Sequence, residues 1–153
     1  MAEKVGKPDP INMASLPGLI GYNLRCAQVT VFQHFNKTIG ETEISPPQYG
    51  ALALINANPG ISQSAIASAL RFDRSTLVQI IDRLEDRKLV VREVSATDRR
   101  SHALKLTDLG QSLLVKLNVL VDKHEQHVTR HLSGKERHTL MELLAQVYKE
   151  AED

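Results

Sequence analysis

Two adjacent arginines stand in a short polar stretch between two strand-like segments. The stretch contains Thr97, Asp98, Arg99 and Arg100, so it offers two permanent cations, one carboxylate and one hydroxyl. A guanidinium at the tip of a turn can enter the minor groove of a duplex or bond a backbone phosphate, and the carboxylate can fix the turn. A charged turn that contacts only water is the ordinary alternative. The tip therefore indicates an anionic partner only in combination with other features of the chain.

A second set of polar side chains lies on a helix predicted over about residues 73–88. At 100° per residue, its apolar and polar residues fall on opposite sides. The side chains that suit contact with bases or phosphates are Arg74, Ser75, Thr76, Gln79 and Arg83. Asp82 and Asp86 would repel phosphate, so we expect the first half of the helix to form the contact surface. The two acids are expected to orient Arg83 or Arg87 instead. Taken alone, a solvated face of a surface helix explains the same pattern.

The chain also carries residues that could sense a metal or an oxidant. His124, His127 and His131 lie at positions i, i+3 and i+7 of one predicted helix, and imidazoles one turn apart can share zinc. Their spacing differs from that of the helical zinc-protease motif, so we expect a polar helix face and no metal. Cys26 is the single cysteine, which excludes an internal disulfide and fits a reducing compartment. We expect it to be a small apolar residue in a helix, with oxidant sensing as the alternative.

The composition is that of an ordinary globular protein, since 42% of the 153 residues are apolar and 24% are charged. No apolar run is long enough to span a bilayer, and no signal-peptide core stands at the N-terminus, so we expect a cytoplasmic location. The net charge is only +1, but residues 71–105 hold nine basic and six acidic residues, which concentrates positive charge in the middle third. A glycine-rich phosphate loop, a nucleophile elbow and a zinc-hydrolase motif are all absent from the sequence, so we expect neither an enzyme nor a cofactor.

Capping residues and apolar spacing predict four helices, a hairpin and two further helices. The helices are expected to begin near Ser15, Ser45, Ser62, Asp73, Thr107 and Ser133. Residues 89–94 and 102–106 are β-branched or alternating, which predicts a hairpin with a long tip. Two short helices, a tight turn and a hairpin predict a winged helix-turn-helix. We expect one compact, mainly α-helical domain with a loose arm over residues 1–14, a DNA-binding winged helix-turn-helix over 45–106, and a helical dimerisation region over 15–44 and 107–153.

The first predicted helix is apolar on two nearly opposite faces. One stripe holds Ile20, Leu24, Ala27, Val31 and Phe35, and the other holds Leu19, Tyr22, Cys26 and Val29. A helix that is apolar on two sides must be covered on both. In a chain this short, the second cover is expected to be another copy of the chain. The pattern therefore predicts an obligate homodimer built from the N- and C-terminal helices.

The sequence resembles the MarR family of transcriptional regulators over about residues 16–148. The resemblance rests on residues 63–67, 75–85, 89–92, 98–101 and 106–110. It implies a triangular homodimer in which each winged helix reads half of a pseudo-palindrome. Members usually repress transcription and release DNA when they bind small ligands that are often aromatic, anionic or phenolic. Gln79 stands where the family often has arginine, and Lys88 stands where it often has glycine.

The resemblance also implies where ligands bind. The expected DNA-binding residues are Ser62, Gln63, Arg74, Ser75, Thr76, Gln79, Arg83, Thr97, Asp98, Arg99 and Arg100. Family ligands generally lie between the dimer helices and the winged helix, where the polar candidates are Arg25, His34, Tyr49 and Asn118. Arg25 could pair with a carboxylate or a phosphate, although each of the four could equally be an ordinary surface or interface residue. The first helix is similar to that of regulators of aromatic-acid breakdown, which implies an aromatic acid or its coenzyme A thioester as effector.

The expected function is therefore a ligand-responsive repressor. Its expected partners are double-stranded DNA, a second copy of the chain and a small aromatic effector, with no membrane. One alternative is a redox- or metal-sensing regulator of the same fold. The other is a protein-interaction module that uses a winged-helix scaffold without DNA.

Overall fold

The computed structural model describes residues 11–97 and 102–149. In these ranges the chain forms six α-helices and one antiparallel hairpin. The helices are α1 (Ile20–Ile39), α2 (Pro46–Ala57), α3 (Gln63–Leu70), α4 (Arg74–Asp86), α5 (Asp108–Val128) and α6 (Gly134–Lys149), and the strands are β1 (Val90–Val94) and β2 (His102–Leu106). The predicted order of four helices, a hairpin and two helices is confirmed. Asp98, Arg99, Arg100 and most of the predicted N-terminal arm lie outside the described residues.

Side-chain caps fix the starts of five helices. Ser45 and Gln48 form a reciprocal capping box at α2, and Ser133 and Glu136 form another at α6. The side chains of Ser62, Asp73 and Thr107 accept backbone N–H groups at α3, α4 and α5. Because each cap bonds residues only three positions away, local sequence is enough to place these starts.

Two predicted helix limits were wrong. The first α-helix begins at Ile20, because Leu19 is extended and separates it from a 3₁₀ turn at Leu16–Gly18, and the Ser15 side chain makes no capping bond. The central helix ends at Asp86 because Lys88 adopts a left-handed conformation with φ +57°.

The hairpin is joined to the helices by backbone hydrogen bonds. Its register pairs Val90 with Leu106 and Val94 with His102. Leu104 also forms a bridge with Ile61 in the α2–α3 connection, and its carbonyl oxygen accepts the Gly60 N–H at 2.8 Å. The base of the hairpin is therefore fixed to the loop that precedes α3.

The core lies between α2, α3, α4 and the hairpin and continues towards α1 and α5. Its fully buried large side chains are Ile39, Leu52, Ile55, Ile66, Leu77, Ile81, Leu84, Val90, Leu104 and Leu117. These aliphatic residues fill the interior without tryptophan, as the composition requires. The exposed face of α4 is thus the outer side of a well-buried helix.

Gly110 lets α5 approach the start of the hairpin. A Cβ on this residue would lie 2.1 Å from the carbonyl oxygen of Leu89. That oxygen already accepts the Thr107 N–H at 3.1 Å, and the Thr107 hydroxyl donates to the Lys88 carbonyl oxygen at 2.6 Å. The junction between β1 and α5 therefore requires glycine.

The outer helices leave apolar side chains uncovered. In the described part of the chain, α6 has no buried residue, and Leu143 and Val147 are about half exposed. A groove of about 640 Å³ runs between α1 and α6 and is lined almost entirely by apolar atoms, including those of Leu24 and Leu144. Such a surface is typical of an interface. Among the described helices, none is both long and apolar enough to cross a membrane.

Candidate nucleic-acid interface

The first turn of α4 is organised by Asp73. Its carboxylate accepts the Thr76 N–H at 2.8 Å, the Ser75 hydroxyl at 2.6 Å and the Thr76 hydroxyl at 2.6 Å. These hydrogen bonds, first that from Ser75 and then those from Thr76, hold the pKa of Asp73 well below its usual value. Both hydroxyls therefore donate their protons to the Asp73 carboxylate. Their lone pairs can still accept hydrogen bonds from a binding partner.

The rest of the predicted reading surface is exposed. Arg74 donates to the Ser64 hydroxyl at 3.2 Å, which connects the start of α4 to α3. The side chains of Gln79 and Arg83 are exposed and make no hydrogen bond or ion pair to any other described residue. Gln79 and Arg83 thus keep their full bonding capacity for a partner.

The acids of α4 do not orient the arginines that the sequence suggested. Asp82 pairs with Arg92 of β1 at 2.5 Å, not with Arg83 or Arg87. The Arg87 guanidinium donates instead to the carbonyl oxygens of Glu43 and Thr42, at 3.0 and 2.9 Å. The expected pairing was wrong because β1, which follows α4, brings the Arg92 guanidinium against the outer face of α4.

The two predicted contacts at the start of α3 already have partners inside the protein. The Gln63 side-chain oxygen accepts the Arg92 Nε–H at 2.7 Å. The Ser62 hydroxyl accepts the Ala65 N–H at 3.2 Å as the cap of α3. Both side chains therefore have a structural role, and their contact with DNA stays a prediction.

The described part of the hairpin ends at Thr97 and resumes at His102. Thr97 bonds Ser95, through its N–H at 3.3 Å and its hydroxyl at 3.1 Å. Lys105 pairs with Glu93 across the strands at 2.7 Å. The tip residues Asp98, Arg99 and Arg100 follow directly but are outside the described ranges, so their predicted contacts stay predictions.

A cluster of rings joins α1, α2 and α5 behind this surface. The Tyr49 hydroxyl donates to Asn118 Oδ1 at 3.1 Å, and its ring lies 6.3 Å from the ring of Phe35. Burial, followed by the carboxylates of Asp122 and Glu125, raises the pKa of Tyr49. Tyr49 is thus a neutral hydrogen-bond donor next to two acids.

The histidine group differs from the predicted one. His34 Nδ1 and His124 Nδ1 are 2.8 Å apart, and the His34 ring stacks on His127 with centroids 3.9 Å apart. His124 is buried and its ring meets Phe35 edge-on, whereas His131 is exposed. Within the described ranges, three such groups are nowhere arranged to hold a metal ion. His131 lies apart from this cluster because α5 ends at Val128 and His131 stands in the turn that follows the helix.

The four predicted effector residues do not form one site. Tyr49 and Asn118 bond each other, and His34 reaches them only through the rings of His124 and Phe35. Arg25 lines a separate cavity of about 320 Å³ along α1, with Gln28, Phe32 and Asn36 among its neighbours. Sequence reasoning considered His124 only as a possible metal ligand and did not predict its buried position, although His124 continues the apolar stripe that contains Leu117 and Val121.

Cys26 lies exposed on α1, one turn from Tyr22. A hydrogen bond between the two side chains, followed by the electrostatic effect of the Cys26 side chain, raises the pKa of Tyr22. Cys26 is thus accessible in the single chain, on the face of α1 that is predicted to meet a second copy.

The chain has relatives of known class along almost its full length. Residues 42–101 match the model of the MarR family. A putative transcriptional regulatory protein for the hcr operon of Thauera aromatica is 38% identical and covers 98% of this chain and 94% of its own.

Solved structures agree in fold. The transcriptional repressor CouR, bound to a 23-mer DNA duplex, has a TM-score of 0.86 and 38% identity over 92% of this chain and 99% of its own. CouR bound to p-coumaroyl-CoA has a TM-score of 0.85 and 37% identity over the same shares. The PcaV regulator of Streptomyces coelicolor, in complex with its natural ligand, has a TM-score of 0.86 and 27% identity over 92% of this chain and 99% of its own. The chain belongs to the MarR family of transcriptional regulators.

Proposed function

We propose that this protein is a homodimeric repressor that binds double-stranded DNA and releases it when a small aromatic effector binds. The observation that carries the proposal is the exposed polar face of α4, where Gln79 and Arg83 make no hydrogen bond or ion pair to another described residue and the first turn is capped by Asp73. CouR, which has the same fold and 38% identity, has been seen on a DNA duplex. Acting on chromosomal DNA places the protein in the cytoplasm, and its role is binding, not catalysis.

The side chains of the reading surface suit different parts of the DNA, either base edges or backbone phosphates. Gln79 and the lone pairs of Ser75 and Thr76 suit base edges, while Arg83 can bond guanine or phosphate. Arg74 is tied to Ser64 at the start of the helix and suits a backbone phosphate near the helix N-terminus. Thr97, Asp98, Arg99 and Arg100 would contact the adjacent groove and backbone, with Ser62 and Gln63 at its margin. Residues 45–106 thereby form the DNA-binding region.

Residues 15–44 and 107–153 form the dimerisation region. Its apolar groove between α1 and α6 has no cover in the single chain, and a second copy supplies the same surface in return. A two-fold dimer presents two α4 helices to two half-sites, which a pseudo-palindromic operator matches.

The surroundings of Tyr49, where the effector is expected to bind, favour a thioester over a free acid. Asp122 and Glu125 act on Tyr49, so a carboxylate placed beside this hydroxyl would meet two like charges. An aromatic acyl thioester carries no charge at its acyl carbon, so it would avoid this repulsion beside Tyr49. Arg25 lies apart and suits an anionic group of a larger ligand. CouR has been seen with p-coumaroyl-CoA.

Fluorescence anisotropy with a duplex selected from a random pool tests DNA binding. Arg100→Ala should weaken binding and reduce the slope of log affinity against log salt by about one, because one phosphate contact is lost. Lys123→Ala removes one exposed cation from α5 and should leave the slope unchanged. An unchanged slope in Arg100→Ala would exclude the tip as a phosphate contact, and the absence of any selected duplex would exclude the function.

The same assay tests the effector class. p-Coumaroyl-CoA should release DNA at concentrations where p-coumarate or coenzyme A alone does not. Equal release by p-coumarate would show that the region accepts a carboxylate, contrary to the argument from Asp122 and Glu125. Release by coenzyme A alone would show that the aromatic ring is not recognised.

A further inference from the structure

Arg92 occupies a position between three elements of the winged helix. It lies on β1, and its side chain is only 17% exposed. Its Nε donates to Gln63 on α3 at 2.7 Å, its Nη2 donates to Asp82 at 2.5 Å, and its Nη1 bonds Glu85 on α4. The Arg92 N–H also faces Glu85 Oε1 at 3.4 Å. One planar guanidinium thus bonds the first turn of α3 and two successive turns of α4.

We propose that Arg92 is the positioning residue that sets the orientation of the hairpin relative to α4, and so determines whether the wing and the reading helix can engage one half-site together. The inference rests on the proposed DNA binding. In this proposal Arg92 acts through Gln63, Asp82 and Glu85 and not as a contact to DNA, because its side chain is mostly buried and each of its three nitrogens already donates to one of these residues.

The arrangement has a second consequence for charge. Asp82 lies one turn after Gln79 on the same side of α4. Without a cation, its carboxylate and that of Glu85 would stand beside the reading surface and repel the phosphate backbone. The guanidinium pairs with both acids and offsets one of their two negative charges, which reduces the repulsion of phosphate by the acidic second half of α4.

A lysine could supply the charge but not the geometry. An ammonium is a compact charge on a flexible stem, whereas the guanidinium fork holds several acceptors in fixed directions. Arg92→Lys therefore separates compensation of the two acids from positioning of the hairpin. Lys105→Met is the matched control, because Lys105 is a hairpin cation with one exposed carboxylate partner, Glu93.

The first measurement needs no DNA. Hydrogen exchange followed by mass spectrometry should show faster exchange in Arg92→Lys for the hairpin and for the first turn of α3. Exchange in the middle of α5 should not change, and the thermal unfolding of Lys105→Met should match that of the parent chain. Unchanged exchange at the hairpin in Arg92→Lys would overturn the proposal, even if the protein bound no duplex and the proposed function itself had failed.

The second measurement is duplex affinity against salt concentration. Arg92→Lys should lose about tenfold in affinity, comparable to one lost hydrogen bond to a charged group, with the same salt slope as the parent. A slope reduced by about one would make Arg92 a phosphate contact and overturn the proposal. Parental affinity in Arg92→Lys would show that only the positive charge at this position matters and would overturn the proposal. An equal loss in Lys105→Met would show that the effect is not specific to Arg92 and would also overturn it.

Discussion

The segment from α2 to β2 and the pair of helices α1 and α6 differ in where their apolar side chains lie. In the first, Leu52, Ile55 and Ile81 are fully buried within the single chain, and the exposed face of α4 is polar. In the second, α6 has no buried residue among those described, and Leu143 is 54% exposed. One region completes its core alone, whereas the other presents half of a core.

This difference separates two requirements of a DNA-binding dimer. Base reading needs polar groups held in fixed directions, which a complete core and the Asp73 and Arg92 networks supply. Association needs apolar area that is removed from water only when two copies meet. Substitutions in the first region should therefore change folding stability, while those in the second should change the oligomeric state.

The largest expected effect is that of Gly110→Ala, at the junction between β1 and α5. The new Cβ would lie 2.1 Å from the Leu89 carbonyl oxygen, so α5 must move away from β1. We expect a loss of about 3 kcal/mol or more in the free energy of unfolding, measured by urea denaturation. In Gly134→Ala nothing lies within 4 Å of the new Cβ, so this control should change stability by less than about 0.5 kcal/mol. Equal stabilities of the two variants would contradict the close approach.

Leu143→Asp tests whether the exposed apolar side chains of the outer helices form the dimer interface. Because Leu143 is already half exposed in the single chain, the variant should fold but lose about 2 kcal/mol or more of association free energy, through a charge placed in an apolar interface. Sedimentation equilibrium at several protein concentrations measures this. Val94→Asp, on an exposed apolar residue of the hairpin, is the control and should remain dimeric. Dissociation of both variants, or of neither, would argue against α6 as the interface.

The histidines between α1 and α5 should make stability depend on pH. Burial is the largest cause that lowers the pKa of both His124 and His127, and the imidazole of His34 lowers both further, although the Glu125 carboxylate opposes the shift of His124. The folded state therefore prefers the neutral rings. The stabilisation is fully present above the ordinary pKa of about 6.5 and is lost as the pH falls through the lowered folded values, since the unfolded chain then binds more protons.

A series of urea midpoints between pH 7.5 and pH 5 measures this dependence. His124→Gln should reduce the slope below pH 6.5, at a cost of about 1 kcal/mol at neutral pH for the lost buried hydrogen bond. His131→Gln alters an exposed ring outside the cluster and should keep the slope of the parent chain. A parental slope in His124→Gln would mean that other groups produce the pH dependence.

Features fixed by neighbouring residues could be predicted from the sequence, and features fixed across elements could not. The caps at Ser45 and Asp73 were predicted because each bonds a residue three positions away. The bond between His34 and His124 joins residues 90 positions apart and depends on how α1 packs on α5. Arg92 was noted only as part of a motif, because its three partners meet it only once β1 has folded back against α3 and α4.

The smallest expected effect concerns Lys88, which ends α4 with φ +57°. A left-handed conformation costs a residue with a Cβ about 1 kcal/mol that glycine does not pay. Lys88→Gly should therefore stabilise the protein by about 1 kcal/mol, as measured by urea denaturation, because its backbone bonds to Glu85 and Thr107 do not involve the side chain. Lys88→Ala removes the same charge but keeps the strained Cβ, so it should not stabilise. If both variants are stabilised equally, the unfavourable feature of Lys88 is its charge and not its backbone conformation. The gain in the free energy of unfolding would then come from the surface charge of the winged helix and not from the turn.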